Sequence, residues 1–388
     1  MIQIKLLVVI SGNIKNKKNK KMNNVDKQYL DFLRHILKNG KIKKSRTDVD
    51  TISVFDYSMR FNMSEGFPLL TSKKMFTKAV IIELMWFLKG DTNIKYLVDN
   101  GCNIWNGDAY KAYERYVFST EEKIRKENWQ CDFQPIEIMT KEQFVDNMRN
   151  DPEFHERWGD LGPVYGAQWR NWEGVSAGMA ISRDMEWGSN NVEEEKYGID
   201  QIANLINDLR NDPDSRRLMV NAWNVSEIEN MTLPPCHFGF QCYTTEMTFE
   251  QRLEHWCSSL GKHISYGNDF DEKKLDELNV PKRKLDLKWF QRSVDSFLGL
   301  PFNITSYALL LHLLAREVNM VPNDLIFSGG DCHIYLNHVD VVKQQLEQET
   351  YNLPTLELSN KSIDDIKYED FKIVGYKSSP TLKGELSN

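Results

Sequence analysis

The stretch LPPCHFGFQCY, residues 233–243, is the point around which the rest of this chain is organised. Pro234 and Pro235 fix the backbone and remove two N–H donors, so neither can lie inside a central strand. The aromatic residues that follow predict a buried strand. Cys236 is therefore expected at the mouth of a strand, where a thiol can face a ligand. A cysteine there is either a nucleophile or an ordinary core residue, and this motif alone leaves both interpretations open.

The composition is typical of a soluble globular protein, with 41% hydrophobic and 27% charged residues among 388. The net charge of −7, from 49 basic and 56 acidic side chains, argues against a general nucleic-acid-binding surface. Six cysteines without C-x-x-C pairs, in a chain with no export signal, predict reduced thiols in a cytoplasmic protein.

The first residues predict a tail. The apolar run 2–10 is too short to span a bilayer, and the basic run 15–21 follows it, which is the wrong order for a secretory signal. Residues 1–24 are therefore predicted to be a disordered tail, and nothing here indicates a membrane protein.

The hydrophobic pattern predicts helices over residues 25–39, with Gly40 as the C′ residue, and over about 76–89. In the strand predicted for residues 51–61, apolar positions change parity, so we expect a β-bulge near Phe55-Asp56. Glu83 is the polar exception in a nearly all-apolar helix. It is either turned to the surface or buried with a raised pKa, and the apolar surroundings favour a buried carboxylate in a site.

Two segments, about 107–158 and 246–283, are predicted to be insertions, the first made of short helices, and 173–197 an irregular loop. Further predictions are a strand at 285–290, a buried helix at 304–318 and two short strands at 325–327 and 333–335 about Gly329-Gly330-Asp331. Without repeats or a dividing linker, residues 25–388 are predicted to form a single α+β domain around a mixed sheet.

Four arginines stand near turns: Arg46, Arg216, Arg217 and Arg292, the last beside Ser293. Each arginine alone is most simply a surface charge. Together, their planar guanidinium groups suit a phosphate and would lower the pKa of a nearby thiol. No metal site is predicted, because His333 and His338 are five residues apart and Cys236-His237 lacks a second ligand pair. Phosphate-loop and dinucleotide-binding motifs are also missing.

Six runs in this order closely resemble the folate-dependent thymidylate synthases: residues 84–93 (LMWFLKGDTN), 159–172, 212–224, 233–237, 291–307 and 330–338. The resemblance covers about residues 25–385. It implies a fold built on a large kinked mixed sheet, flanked by helices, with two sheets stacked in a homodimer. It also implies reductive methylation of dUMP to dTMP, with 5,10-methylenetetrahydrofolate as one-carbon and hydride donor and no metal.

The resemblance further implies roles for individual residues. The catalytic residues would be Cys236 as the nucleophile on uracil C6, Glu83, Tyr165, Asn303 and Arg292. The nucleotide would be bound by Arg46, Arg292 and Ser293 at its phosphate, by Arg216 and Arg217 lent from the partner subunit, by Asn303 at the uracil edge, and by His333 and Tyr335 at the ribose. The folate would contact Lys73, Trp105, Asp295 and Gly299.

Three departures from the family pattern concern the folate alone: Asn106-Gly107-Asp108 after Trp105, Phe76, and the terminal Asn388. They keep open a related activity, dUMP hydroxymethylation, in which water instead of hydride captures the one-carbon unit. A non-catalytic binder is disfavoured, because Cys236, Glu83 and Asn303 are all present.

Overall fold

The computed structural model describes residues 22–45, 49–127, 136–176, 195–260 and 271–385. The helices in these ranges are α1 (Asn24–Asn39), α2 (Thr77–Leu88), α3 (Lys95–Asp99), α4 (Asn106–Glu127), α5 (Lys141–Asn150), α6 (Pro152–Trp158), α7 (Gly166–Asn171), α8 (Gln201–Asn211), α9 (Phe249–Ser259), α10 (Glu272–Glu277), α11 (Gly299–Glu317) and α12 (Val339–Leu346). The strands are β1 (Lys41–Lys43), β2 (Thr51–Asn62), β3 (Trp172–Ser176), β4 (Glu195–Ile199), β5 (Met219–Asn221), β6 (His237–Glu246), β7 (Arg283–Asp295), β8 (Val321–Tyr335), β9 (Thr355–Leu358) and β10 (Phe371–Val374).

A six-stranded mixed sheet, in the order β1-β2-β8-β7-β6-β5, forms the centre of the fold. Strands β7 and β8 are parallel and all other neighbours are antiparallel. Strands β3 and β4, and β9 and β10, form separate two-stranded sheets. The prediction of an α+β fold around a mixed sheet is confirmed.

Helices cover one face of the central sheet. α11 is apolar on nearly all sides because it packs into the core, where Tyr307 stacks on Trp289 of β7 with ring centroids 5.1 Å apart. α1 packs at the other end, with Phe32 against Phe327 of β8. The opposite face, here called the open face, has no covering helix among the described residues. Its apolar side chains are half-buried or exposed: Met219, Phe238, Tyr243, Phe290 and Ile326.

A row of backbone irregularities crosses four strands of the sheet. Asp56 of β2 has a positive φ of 70°, yet the pairing of β2 with β8 keeps the same register on both sides of it. The predicted bulge was therefore wrong, since no residue is inserted; the strand bends in place. Gly330 of β8 and Arg292 of β7 are the unpaired residues at the same level, and the β6–β7 register shifts around Phe238.

Strand β8 runs unbroken for 15 residues, so the prediction of two short strands about Gly329-Gly330 was wrong. Glycines usually weaken a strand, but β8 is hydrogen-bonded to β2 on one side and β7 on the other. A side chain at Gly330 would bring its Cβ to 3.0 Å from the Arg292 carbonyl oxygen. The glycine is thus required by the close approach of β7 at the bend, and not by a turn.

Several other boundaries differ from prediction. α4 is a 22-residue helix where short helices were expected, and the predicted loop 173–197 begins and ends as the paired strands β3 and β4. Gly40 follows α1 but has φ −67°, so it is not a left-handed C′ residue. It is glycine because an added Cβ would lie 2.5 Å from Ile52 Cγ2. The predicted tail lies outside the described residues up to position 21.

A buried carboxylate fixes the segment that leads into α2. Asp26 of α1, which is 0% exposed, accepts hydrogen bonds from the Thr71 and Ser72 backbone N–H groups and from the Thr71 hydroxyl. These bonds hold the two residues that precede Lys73 against α1. Among the described residues, no helix is both long and apolar enough to cross a membrane.

Candidate active site

Cys236 differs in exposure from the other cysteines that the structure describes. Cys102, Cys242, Cys257 and Cys332 are buried, whereas Cys236 is partly exposed at the first residue before β6. Burial raises the pKa of Cys102 and of Cys332 to about 12, which makes these two thiols poor nucleophiles. Of the two interpretations of Cys236, the nucleophile is favoured over the core residue.

Arg292 fixes the Pro234-Pro235 segment that directly precedes Cys236. Its Nε donates to the Pro235 carbonyl and its Nη2 to the Pro234 carbonyl, both at 2.9 Å, and its backbone N–H donates to the Cys236 carbonyl at 2.8 Å. The guanidinium lies 5.2 Å from the centre of the Trp223 ring. Because a proline has no backbone N–H to donate, its carbonyl is the backbone group through which hydrogen bonds can fix this segment.

Tyr165 contacts the nucleophile candidate from the other side. Its hydroxyl oxygen accepts a hydrogen bond from the Cys236 backbone N–H at 2.7 Å. Burial, and then the nearby Cys236, raise the pKa of Tyr165 well above its ordinary value. Tyr165 therefore stays protonated at neutral pH.

His237 is not a charged partner for the thiol. Its ring is buried, lies tilted beside Tyr165 with centroids 4.3 Å apart, and is hydrogen-bonded through Nδ1 to the Tyr307 hydroxyl at 2.9 Å. Burial lowers the pKa of His237 to about 3, so the imidazole is neutral.

Glu83 is buried in α2, 8% exposed, as the apolar pattern around it predicted. Its Oε1 accepts a hydrogen bond from the Trp105 indole N–H at 2.9 Å. Burial raises the pKa of Glu83 to about 7, although the Trp105 bond opposes the rise. The Trp105 ring in turn meets the Tyr165 ring edge-on, with centroids 5.9 Å apart. A carboxyl group that is half-protonated near neutral pH is thus linked by two aromatic rings to Cys236.

The orientation of Asn303 in α11 is set by a chain of donors. The Trp289 indole, which can only donate, is 3.2 Å from Gln291 Oε1. Gln291 Nε2 must then donate, and it does so to Asn303 Oδ1 at 3.0 Å. This leaves the Asn303 amide nitrogen as a donor, and Oδ1 with one further lone pair, toward the site. Gln291 was missed by the sequence analysis, since nothing local marks it.

A polar cluster lies on the neighbouring strands. His333 of β8 pairs in register with Asp295, and Asp331 with Ser293. His333 Nδ1 is 3.4 Å from Asp331 Oδ1, which also accepts from the Ser53 hydroxyl. Tyr335 meets the His333 ring edge-on at 5.2 Å. Ser293, His333 and Tyr335 are therefore brought together.

Three of the four residues expected to contact a folate, Lys73, Asp295 and Gly299, lie around the end of β7. Asp295 Oδ1 caps the start of the next turn by accepting from the Phe297 and Leu298 N–H groups, both at 3.0 Å. Gly299 begins α11, and a Cβ there would lie 3.6 Å from that of Asp295. Lys73 is buried, and its ammonium donates to the Phe297 carbonyl, 4.0 Å from the centre of the Phe297 ring. Burial lowers the pKa of Lys73 to about 7, against the opposing pull of Asp295.

Two expected phosphate ligands do not join this group within one chain. Arg216 and Arg217 are exposed on the turn before β5. Met219 pairs with Gln241, which lies five residues along β6 from Cys236. At about 3.4 Å per residue, this separates the arginine turn from Cys236 by roughly 17 Å or more. Arg46 lies outside the described residues.

No group of three or more potential metal ligands occurs among the residues that the structure describes.

Comparisons with known proteins agree with the resemblance seen in the sequence. A family model described as thymidylate synthase matches residues 27–388. The thymidylate synthases of Mesoplasma florum and Mycoplasma genitalium are each 39% identical over 362 residues, which cover 93% of this chain and 99% of each relative. That of Mycoplasma mobile is 38% identical over the same shares of both chains.

Proposed function

This chain belongs to the thymidylate synthase family, a family of methyltransferase enzymes that use methylenetetrahydrofolate, and from that premise we propose which of its residues convert dUMP to dTMP. The observation that carries the proposal is the continuous set of contacts from Glu83 through Trp105 and Tyr165 to Cys236.

Cys236 is the nucleophile. Its thiolate adds to C6 of the uracil ring, forming an S–C6 bond and moving the C5–C6 electron pair toward C5 and O4, so that C5 becomes nucleophilic. The partial exposure of Cys236 supports this role, since the other described cysteines are buried. Arg292 positions it by fixing the carbonyls of Pro234 and Pro235.

Asn303 and Glu83 act on the pyrimidine edge. The Asn303 amide nitrogen donates to O4 and its Oδ1 accepts from N3–H, a pairing that uracil satisfies and cytosine does not. Glu83, with a pKa near 7, gives a proton to O4 as charge develops there and takes it back. The C5 proton then passes to water through a relay that includes the Tyr165 hydroxyl. Once hydride has been delivered to the carbon on C5, the C5–C6 double bond re-forms as the C6–S bond breaks, which frees Cys236 as its thiolate.

Trp105, Asp295 and Gly299 fit a folate. Asp295 uses Oδ1 to cap the turn, which leaves its second carboxylate oxygen to accept from a pterin N–H, and Gly299 keeps the approach clear. Lys73 stabilises the same turn by donating a hydrogen bond to the Phe297 carbonyl. When bound, 5,10-methylenetetrahydrofolate supplies the one-carbon unit and the hydride. The part of this chain is to orient the pterin and exclude water with Trp105.

The phosphate is bound by Arg292, Ser293 and Arg46 of one subunit and by Arg216 and Arg217 of a partner, in a homodimer joined through the open face. His333 and Tyr335 bind the ribose. The dimer is supported by the apolar open face and by the distance that separates the arginine turn from Cys236 of the same chain. Sedimentation at micromolar concentration is expected to give twice the 45.4 kDa chain mass.

The decisive experiment uses Cys236→Ser. We expect turnover of dUMP with methylenetetrahydrofolate to fall at least about 10³-fold while the Kd for dUMP changes little. The wild-type product is expected to be dTMP, with dihydrofolate formed in equal amount. Unchanged turnover would show that Cys236 is not the nucleophile. If the product were 5-hydroxymethyl-dUMP, the reaction would be hydroxymethylation and not methylation.

A further inference from the structure

We propose that Arg283, at the start of β7, is a positioning residue for the phosphate site of the partner subunit. It would act by fixing the turn that carries Arg216 and Arg217. This inference rests on the proposed function, in which these two arginines bind the phosphate of dUMP across the dimer interface.

Arg283 is the first residue of β7 and is well buried for an arginine, with its side chain 13% exposed. Its Nε donates to the Thr244 hydroxyl oxygen at 2.9 Å, its Nη1 to Glu246 at 3.1 Å, and its Nη2 to Asp214. Charge-assisted bonds from one planar guanidinium to three acceptors fix orientation as well as distance.

Two of these acceptors hold the turn that precedes the arginine pair. Asp214 is itself part of that turn, in which the Ser215 N–H donates to the Asp212 carbonyl at 3.0 Å. The Thr244 hydroxyl donates its own proton to the Pro213 carbonyl at 2.7 Å. Arg283 therefore fixes the turn at two points. It binds Asp214 directly, and it binds Thr244, which in turn binds the Pro213 carbonyl.

The other end of the arginine turn is fixed by the sheet. Leu218, directly after Arg217, is 1% exposed, and its carbonyl accepts the Cys242 N–H at 2.8 Å. Both flanks of the pair are thus tied to β6. Within the described residues, neither the Arg216 nor the Arg217 guanidinium has a hydrogen bond or ion pair. A fixed backbone that presents two exposed guanidinium groups is preorganised for an anion supplied by another subunit.

The test compares Arg283→Ala with wild type. We expect the KM for dUMP to rise about fivefold. The hydrogen bonds of a mostly buried arginine to three acceptors contribute more free energy than a single exposed ion pair does. The kcat is expected to stay within about twofold, and the Kd for deoxyuridine, which has no phosphate, to stay unchanged. Arg283→Lys should recover part of the loss. Arg34→Ala, which removes an exposed ion pair with Asp31 on α1, is the matched control and should change none of these values.

Hybrid dimers decide whether Arg283 acts on the partner. A subunit with Arg283→Ala and an intact Cys236 is paired with a Cys236→Ser subunit that has an intact Arg283. The single working thiol then receives its arginine turn from the intact Arg283 subunit, so the KM for dUMP should return to the wild-type value. A KM that stays raised in the hybrid would show action within the same chain and overturn the proposal.

The double variant Arg216→Ala/Arg217→Ala separates the two levels of inference. If it raises the KM for dUMP while Arg283→Ala does not, the role of Arg283 is wrong and the phosphate role of the arginines stands. If the double variant leaves the KM unchanged, the phosphate role fails and the role of Arg283 fails with it.

Discussion

Replacing the buried carboxyl group of α2 by an amide, Glu83→Gln, is expected to make the protein more stable and less active. In the folded chain, Glu83 lies among apolar neighbours of α2 and accepts a hydrogen bond from the Trp105 indole. A glutamine at this position could still accept that bond through its side-chain oxygen while having no charge to bury. The substitution thus isolates the cost of ionising a carboxyl group at this position.

The magnitude follows from the pKa of Glu83, which burial raises from 4.5 to about 7. At roughly 1.4 kcal/mol per pH unit, the difference amounts to about 3 kcal/mol. The folded state holds the proton more tightly than the unfolded chain, so unfolding releases a proton between pH 4.5 and about 7. The free energy of unfolding of wild type therefore falls across this window and levels off above it. In Glu83→Gln, the free energy of unfolding does not fall in this way, because the amide does not titrate.

Urea denaturation of both proteins at pH 4.5 and pH 8, at one fixed protein concentration, measures the effect. The stability gained by Glu83→Gln should be larger at pH 8 than at pH 4.5 by about 3 kcal/mol. Other titrating groups cancel in the difference because both proteins share them. Glu153→Gln, on the exposed side of α6, is the control and should show no such change.

Activity should move in the opposite direction, with kcat lowered about 10²- to 10⁴-fold as proton transfer is lost. The reasoning is refuted if the stability difference between Glu83→Gln and wild type is the same at both pH values. In that event the carboxyl group would carry no desolvation penalty in the folded state, and its proposed role as a proton carrier near pH 7 would lose its basis.

Three further outcomes are expected. Asn303→Asp should weaken dUMP binding about 10- to 100-fold and improve dCMP binding, as measured by calorimetry, because an aspartate cannot donate to uracil O4 but accepts from a cytosine amino group. Trp105→Phe removes the indole donor to Glu83, so the pKa of Glu83 should rise further and the bend in the pH profile of kcat/KM should move up by about one pH unit. Gly162→Ala should lower the free energy of unfolding by about 3 kcal/mol in urea, since Gly162 has φ +78° and the added Cβ would lie 2.1 Å from the Asn230 carbonyl oxygen.

The parts of the site that could be predicted from the sequence are those with a local physical signature. Glu83 was recognisable because a carboxylate stands alone in an apolar helix, and Cys236 because two prolines precede a strand. The resemblance to a family added roles for residues such as Asn303, whose own neighbourhood gives no signal. That they meet in one site follows from strand pairing and helix packing, which no short stretch encodes.

The misses have the same origin. Two short strands were predicted about Gly329-Gly330, where the structure has one, because glycine is a poor strand residue and pairing on both sides of β8 outweighs that preference. The length of α4 was underestimated because its apolar residues are few, while its partners Phe144 and Trp158 lie on other helices. Arg283 carried no signal at all, because Asp214 and Thr244 are distant in sequence and meet it only through the sheet.

The row of irregularities at Asp56, Gly330, Arg292 and Phe238 limits how this protein can change in length. Its residues lie side by side on four strands, and the Arg292 N–H at the row holds the Cys236 carbonyl. Adding or deleting a single residue in any of these strands would misalign the row and displace the thiol. We therefore expect a change of length to be tolerated in the connections, such as residues 106–158 and 247–282, which lie outside the four strands.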